Sequence, residues 1–228
     1  MKPLFQICSF FLILITIGCK SDKKKELIKE VKEISILEKV ADAHGFENWK
    51  NVTQIAFRFN VDRDSTHFER SWVWRPKTND ITRISNGDTL SYNRKTMDSI
   101  AYKTNGGFIN DRYWLLAPFN LIWDSANFQY THSEGEMAPI AKKPMNKLTI
   151  VYKNEGGYTP GDAYDFYFED DYLIREWVFR KTNQAEPSMT TTWENYNNYN
   201  GIIIATDHKK DESVFNLFFD DIAIHKSQ

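Results

Sequence analysis

The spacing of apolar and polar positions changes several times along the chain, and each change marks an element. An unbroken apolar run follows Lys2 and ends at Gly18-Cys19, where the chain turns polar through Lys20-Ser21-Asp22-Lys23-Lys24-Lys25. Over residues 26–43, Leu27, Val31, Ile34, Leu37 and Ala41 fall on one helical face with Lys and Glu opposite, and Gly45 after His44 suits a C-terminal stop. The mixed charges of this helix favour packing on a core over lying on a membrane. The period then drops to two. Ile55, Phe57, Phe59 and Val61 alternate with Ala56, Arg58 and Asn60. After a turn at Asp62 to Ser65, Phe68, Arg70, Trp72 and Trp74 share a face opposite Glu69, Ser71 and Val73. Asn86-Gly87-Asp88 is a hairpin signal between short strands at 81–84 and 89–92.

The centre reads differently. Asn110 suits an N-cap with Asp111 in the first turn, Tyr113-Trp114-Leu115-Leu116-Ala117 follows, and Pro118 ends or kinks the helix. Phe119 to Trp123 continue the apolar run, and a loop is expected from there to about Pro144. Alternation returns at Leu148, Ile150 and Tyr152, at Tyr164, Phe166 and Phe168, and at Leu173, Arg175, Trp177 and Phe179. Residues 190–196, 201–206 and 214–224 supply three more strands. The pattern predicts an α+β domain, with an antiparallel sheet of about nine to eleven strands, an N-terminal helix and a short central helix. No internal repeat or low-complexity segment interrupts it.

The first apolar run is short of the roughly 20 residues that span a bilayer. Its basic start, apolar middle and small residue at the cut have the layout of a secretory signal. With Thr16-Ile17-Gly18 directly before Cys19, the run resembles a bacterial lipoprotein signal, although Thr16 stands where Leu is usual. That resemblance implies cleavage before Cys19 and acylation of its thiol and new amine. The expected organisation is a signal over 1–18, a tether over 19–25 and one domain over 26–228. Removing 18 residues from 228 leaves 210, enough for a full core. Cys8 would leave with the signal and Cys19 would be acylated, so the remaining chain would have no disulfide and would depend on its core. The formal charge is −2, or −3 without Lys2, and no basic stripe appears beyond residues 23–25, which argues against nucleic acid as a partner. Aromatic residues make up 15% of the chain, a composition that favours sheet.

Signatures of covalent chemistry are lacking: there is no Gly-x-Ser-x-Gly elbow, no His-Glu-x-x-His and no phosphate loop ending in Lys. Gly156-Gly157 and Gly161 lie between strands, where they suit a tight turn, and Tyr158 and Asp162 are candidates for a mouth. His132-Ser133-Glu134-Gly135-Glu136 and Asp207-His208 with Asp211 lack the spacing of a closed metal site, and solvated loops explain them better. Asp170-Asp171 and Asp220-Asp221 cannot be paired as catalytic carboxylates from sequence. Neither a metal nor a cofactor is expected. Asp64-Ser65-Thr66, Asp88-Thr89-Leu90, Asp98-Ser99-Ile100 and Asp124-Ser125-Ala126 resemble the O-glycosylation acceptor of exported Bacteroidota proteins, and turn-forming pairs account for them equally. The alternating rings Phe57, Phe59, Trp72 and Trp74 read either as core or as the lining of an apolar groove. Arg70 on the Trp face requires a groove mouth or a buried partner.

Several segments together resemble the outer-membrane lipoprotein carrier superfold. Ala43-His44-Gly45-Phe46-Glu47-Asn48-Trp49 before the strand at Ile55 resembles its first helix feeding its first strand. Trp193-Glu194-Asn195-Tyr196 with Gly201-Ile202-Ile203, and Phe218-Phe219-Asp220-Asp221-Ile222-Ala223-Ile224, resemble its late strands. The middle, from Tyr113 to Gly161, is similar to a group of uncharacterised Bacteroidota lipoproteins. The resemblance implies a half-barrel whose helices close its concave side over an apolar cavity for acyl chains. It implies ligand contacts from Phe57, Phe59, Trp72 and Trp74, with Leu115, Leu116 and Phe119 as a helical plug. The expected protein is an outer-membrane lipoprotein, anchored through acyl chains on Cys19, that binds a lipid or other hydrophobic small molecule. A glycan-binding or structural lipoprotein is the alternative, and a hydrolase ranks third.

Overall fold

The computed structural model describes residues 34–210 and 214–227. The proposed signal, Cys19, the tether and the helix positions Leu27 and Val31 lie outside the described residues. The first helix described, α1 (Ile36–Ala43), carries a capping box: Ser35 Oγ accepts from Glu38 N, and Glu38 answers to the Ser35 backbone. Leu37, Val40 and Ala41 are buried, while Ile34, ahead of the cap, is 56% exposed. Gly45 adopts a left-handed φ of 84°, and a Cβ there would come 1.9 Å from Gly201 O. Glycine therefore both stops α1 and lets the short turn Phe46–Asn51 dock on a later hairpin, where Asn48 Nδ2 donates to Gly201 O at 3.1 Å.

Among the described residues, twelve antiparallel strands form two sheets that do not close into a barrel. The strands of the larger sheet are β1 (Val52–Arg63), β2 (Thr66–Arg75), β3 (Asp80–Ser85), β4 (Asp88–Asn93), β10 (Glu194–Tyr199), β11 (Ile202–Lys209) and β12 (Asn216–Lys226), in the order β10-β11-β12-β1-β2-β3-β4. The smaller sheet holds, in sequential order, β5 (Phe128–Met137), β6 (Pro144–Tyr152), β7 (Ala163–Phe168), β8 (Ile174–Arg180) and β9 (Met189–Thr192). The sheets meet where β9 runs into β10. Trp193 N donates to Arg175 O at 2.7 Å, and Lys209 N donates to Thr192 Oγ1 at 3.0 Å. The result is the α+β curved half-barrel.

Two segments differ from the sequence expectation. The central helix, α2 (Ser99–Trp123), is 25 residues long and starts eleven residues before Asn110, with Asp98 as its N-cap accepting from Ala101 N at 2.8 Å. Asn110 and Asp111 are mid-helix residues. Gly106-Gly107 and a polar first half disguise that start, because glycine lowers helix propensity and too few apolar residues mark a face. Helical dihedrals fail at Leu116 (φ −131°, ψ 30°), two residues before Pro118, as expected where a proline removes a backbone donor. The second difference is β5, expected as loop. It is an edge strand paired on one side only, and after Phe128 its residues are exposed or half-exposed, so no alternation betrays it.

Candidate functional site

The candidate site is the aromatic face of the larger sheet, together with the helix packed on it. Register sets its rows: Ile55 faces Trp74, Phe57 faces Trp72, and Phe59 faces Arg70 across β1 and β2, while Phe59 also faces Phe219 of β12. Because strand side chains alternate, these residues project to one face. All four ring positions expected from sequence are enclosed: Phe57 is 1% exposed, Phe59 4%, Trp72 1% and Trp74 5%. Leu115, Leu116 and Phe119 are buried with them in the same core.

The rows are covered by α2. The Phe108 ring stands edge-on to Trp72 at 5.5 Å and to Trp74 at 5.4 Å. Past the kink, Phe119 and Trp123 meet Trp49 at 5.7 and 5.0 Å, and Trp49 lies 5.2 Å from Trp74. On its other side α2 reaches the smaller sheet, with Trp114 at 4.2 Å from Trp177 and Tyr113 at 5.0 Å from Tyr164. Tyr158, expected at a mouth, stacks on Tyr113 at 3.9 Å. The preceding Gly157 lies close against Tyr152, where a Cβ would come 2.7 Å from the ring.

Sequence reasoning missed the ion pair that ties helix to sheet. Arg70 Nε donates to Asp111 Oδ2 at 2.5 Å, and its Nη2 donates to Asp111 Oδ1 at 2.6 Å. Trp72 Nε1 donates to the same carboxylate at 2.7 Å, and Asn110 Nδ2 at 3.1 Å. The Asp111 side chain is fully buried and that of Arg70 is 22% exposed. Arg70 also lies over the rings of Phe59, Phe68 and Trp72. The guanidinium fits against the helix because residue 107 is glycine, where a Cβ would come 2.7 Å from Arg70 Nη1. The signal in the sequence was Arg70 itself, a charge on an apolar face that needed an acceptor. Its partner lies 41 positions away, on a helix that no local pattern places over Arg70.

The other candidates resolve into structural roles. Asp220 takes two bonds from Arg58, at 2.6 and 3.0 Å, and Asp221, at a positive φ in a β-bulge, pairs with the same arginine at 3.0 Å. Glu136 pairs with Lys147 and His132 bonds Asn146. His208 is fully buried against Trp193 at 4.5 Å, and burial pushes its imidazole down to about 3. Among the described residues no cluster of His, Cys, Asp or Glu is arranged to hold a metal, and no helix is long and apolar enough to cross a membrane. The four Asp-Ser and Asp-Thr positions, Ser65, Thr89, Ser99 and Ser125, are all exposed.

No protein-family model and no curated protein matches the chain. Solved structures do resemble it. A LolA superfamily protein from Nitrosomonas europaea superposes with a TM-score of 0.50 at 12% identity, covering 85% of this chain and 93% of that one. An outer membrane lipoprotein-sorting protein domain from Vibrio parahaemolyticus gives 0.49 at 10% identity, covering 86% and 94%. At such identity the likeness is one of fold: this chain has a LolA-like half-barrel.

Proposed function

We propose that this protein is an envelope lipoprotein, anchored through Cys19, that holds an apolar or amphipathic ligand such as an acyl chain between its concave sheet face and α2, and performs no covalent chemistry on it. The observation that carries the reading is the cover itself. An aromatic sheet face is roofed by one helix that is interrupted at Leu116 and tied to the sheet through Arg70 and Asp111. A permanent core has no need of a broken roof held by a buried ion pair, because apolar residues of similar volume would serve at least as well. A roof that must lift gains from a link that holds only when its geometry is complete. The half-barrel shared with the LolA superfamily protein agrees with a role among lipids or lipoproteins.

The enclosure of Trp72 and Trp74 favours this over glycan binding, since sugars stack on ring faces open to solvent. Titration of the purified protein with a fluorescent apolar probe should give saturable binding with a change in tryptophan emission. In a Trp72→Ala, Trp74→Ala variant the affinity should fall. Unchanged affinity in that variant removes these residues from the site, and no binding at all contradicts the reading.

A further inference from the structure

Three arginines near the aromatic rows form no ion pair with a carboxylate among the described residues. Arg83 of β3 stands opposite Trp72 on one side and Leu90 on the other, so it shares their face. Arg94 follows β4, two positions after the buried Tyr92. Arg112 is on α2, beside Asp111. The Arg94 guanidinium lies 5.6 Å from the Phe108 ring, Phe108 lies 5.4 Å from Trp74, and the Arg112 guanidinium lies 5.6 Å from Trp74 and 5.2 Å from Trp123.

The Nε of each of these arginines is buried and meets no acceptor among the described residues, and the same holds for Trp74 Nε1. Arg112 Nη2 bonds the neutral Asn120 Oδ1, at 3.2 Å. Asp124, the carboxylate whose field Arg112 feels, takes a hydrogen bond from Tyr152 Oη at 3.3 Å. Burial, reinforced by the neighbouring charge of Arg94, pulls the Arg112 guanidinium down to about 10, and burial lowers Arg94 as well. Arg70 makes the contrast plain, because its guanidinium is matched by both oxygens of Asp111.

Unpaired like charges drawn out of water are unfavourable unless something negative joins them. Buried guanidinium and indole N–H groups that meet no acceptor are donors available to an oxyanion. We infer that Arg94 and Arg112, linked through Phe108 and Trp74, form the binding site for the carboxylate or phosphate head of an amphipath whose apolar chain lies along the aromatic rows, with Arg83 on the same sheet face as Trp72. This inference rests on the reading of the protein as a binder of apolar or amphipathic ligands, and narrows the ligand class to anionic ones.

The test compares laurate, methyl laurate and inorganic phosphate on the full chain. Wild type should bind laurate about tenfold more tightly than its ester, the equivalent of one charge-assisted hydrogen bond. An Arg94→Gln, Arg112→Gln variant should lose that preference through weaker laurate binding, with thermal unfolding used to show that it is folded. If the double variant does not fold, Arg94→Gln alone, which changes no residue of α2, should narrow the preference. Equal affinity of wild type for acid and ester, or a preference that survives the substitutions, overturns the anionic site and leaves the apolar-ligand reading standing. Binding of neither chain overturns both. Displacement of laurate by phosphate at comparable concentration would make the site one for a free anion and overturn the assignment to an amphipath.

Discussion

Arg70 and Asp111 are the residues on which the cover depends. Asp111 is wholly enclosed and accepts from Arg70, Trp72 and Asn110, so its removal strands a guanidinium among rings. Asp111→Ala should therefore cost about 3–5 kcal/mol in urea unfolding, while an Arg70→Leu, Asp111→Leu double variant should recover most of that loss. A single variant as stable as wild type would show that the pair does not tie the helix down. Two histidines set the acid limit. Burial pushes His44 down to about 4 and His208 down to about 3. An unfolded imidazole takes up its proton near 6.5, so between that pH and about 4 the unfolded chain binds more protons than the folded one. Neither residue contributes above pH 6.5. As pH falls below it, each should remove about 1.4 kcal/mol of stability per pH unit. Stability that stays flat from pH 6.5 to 4.5 would contradict the burial of both rings.

At the scale of elements, α2 separates what the chain shows in its sequence from what it hides. Its second half was legible, because Tyr113 to Leu116 and Phe119 are too apolar for a surface and Pro118 marks a break. The first half was not, because it is polar and contains two glycines, so neither periodicity nor propensity marks it. The strands divide the same way. β1 and β2 alternate cleanly, since one face is dry, and the alternation alone assigns their rings to a common face. β5 lies at an edge with little to bury, so it carries no period. Strand pairing, which brings Arg70 opposite Phe59 and under Asp111, depends on register that no local pattern contains. Leu116, 2% exposed at the point where α2 breaks, tests the cover directly. Leu116→Asp should lower stability by about 3–5 kcal/mol, as an unpaired buried charge does. A change within about 0.5 kcal/mol, as surface substitutions give, would mean that this turn is not packed on the sheet.

For the whole molecule, anchor and cavity are separable claims. Cys19→Ala should leave the protein unprocessed or release it from the membrane fraction, because each buried CH₂ of an acyl chain contributes about 0.8 kcal/mol to membrane attachment. A variant that matures and fractionates as wild type does would refute the anchor and leave the half-barrel as it is. The central claim is that α2 is a roof that ligand displaces, and hydrogen exchange of the backbone amides reads it most directly. With a saturating apolar ligand, the amides of α2 past its break, 117–123, should exchange faster than in the empty protein, while those of β1 and β2 stay protected. A bound protein in which α2 exchanges at the unliganded rate, or more slowly, would show that the helix is a fixed part of the core and that the ligand binds elsewhere.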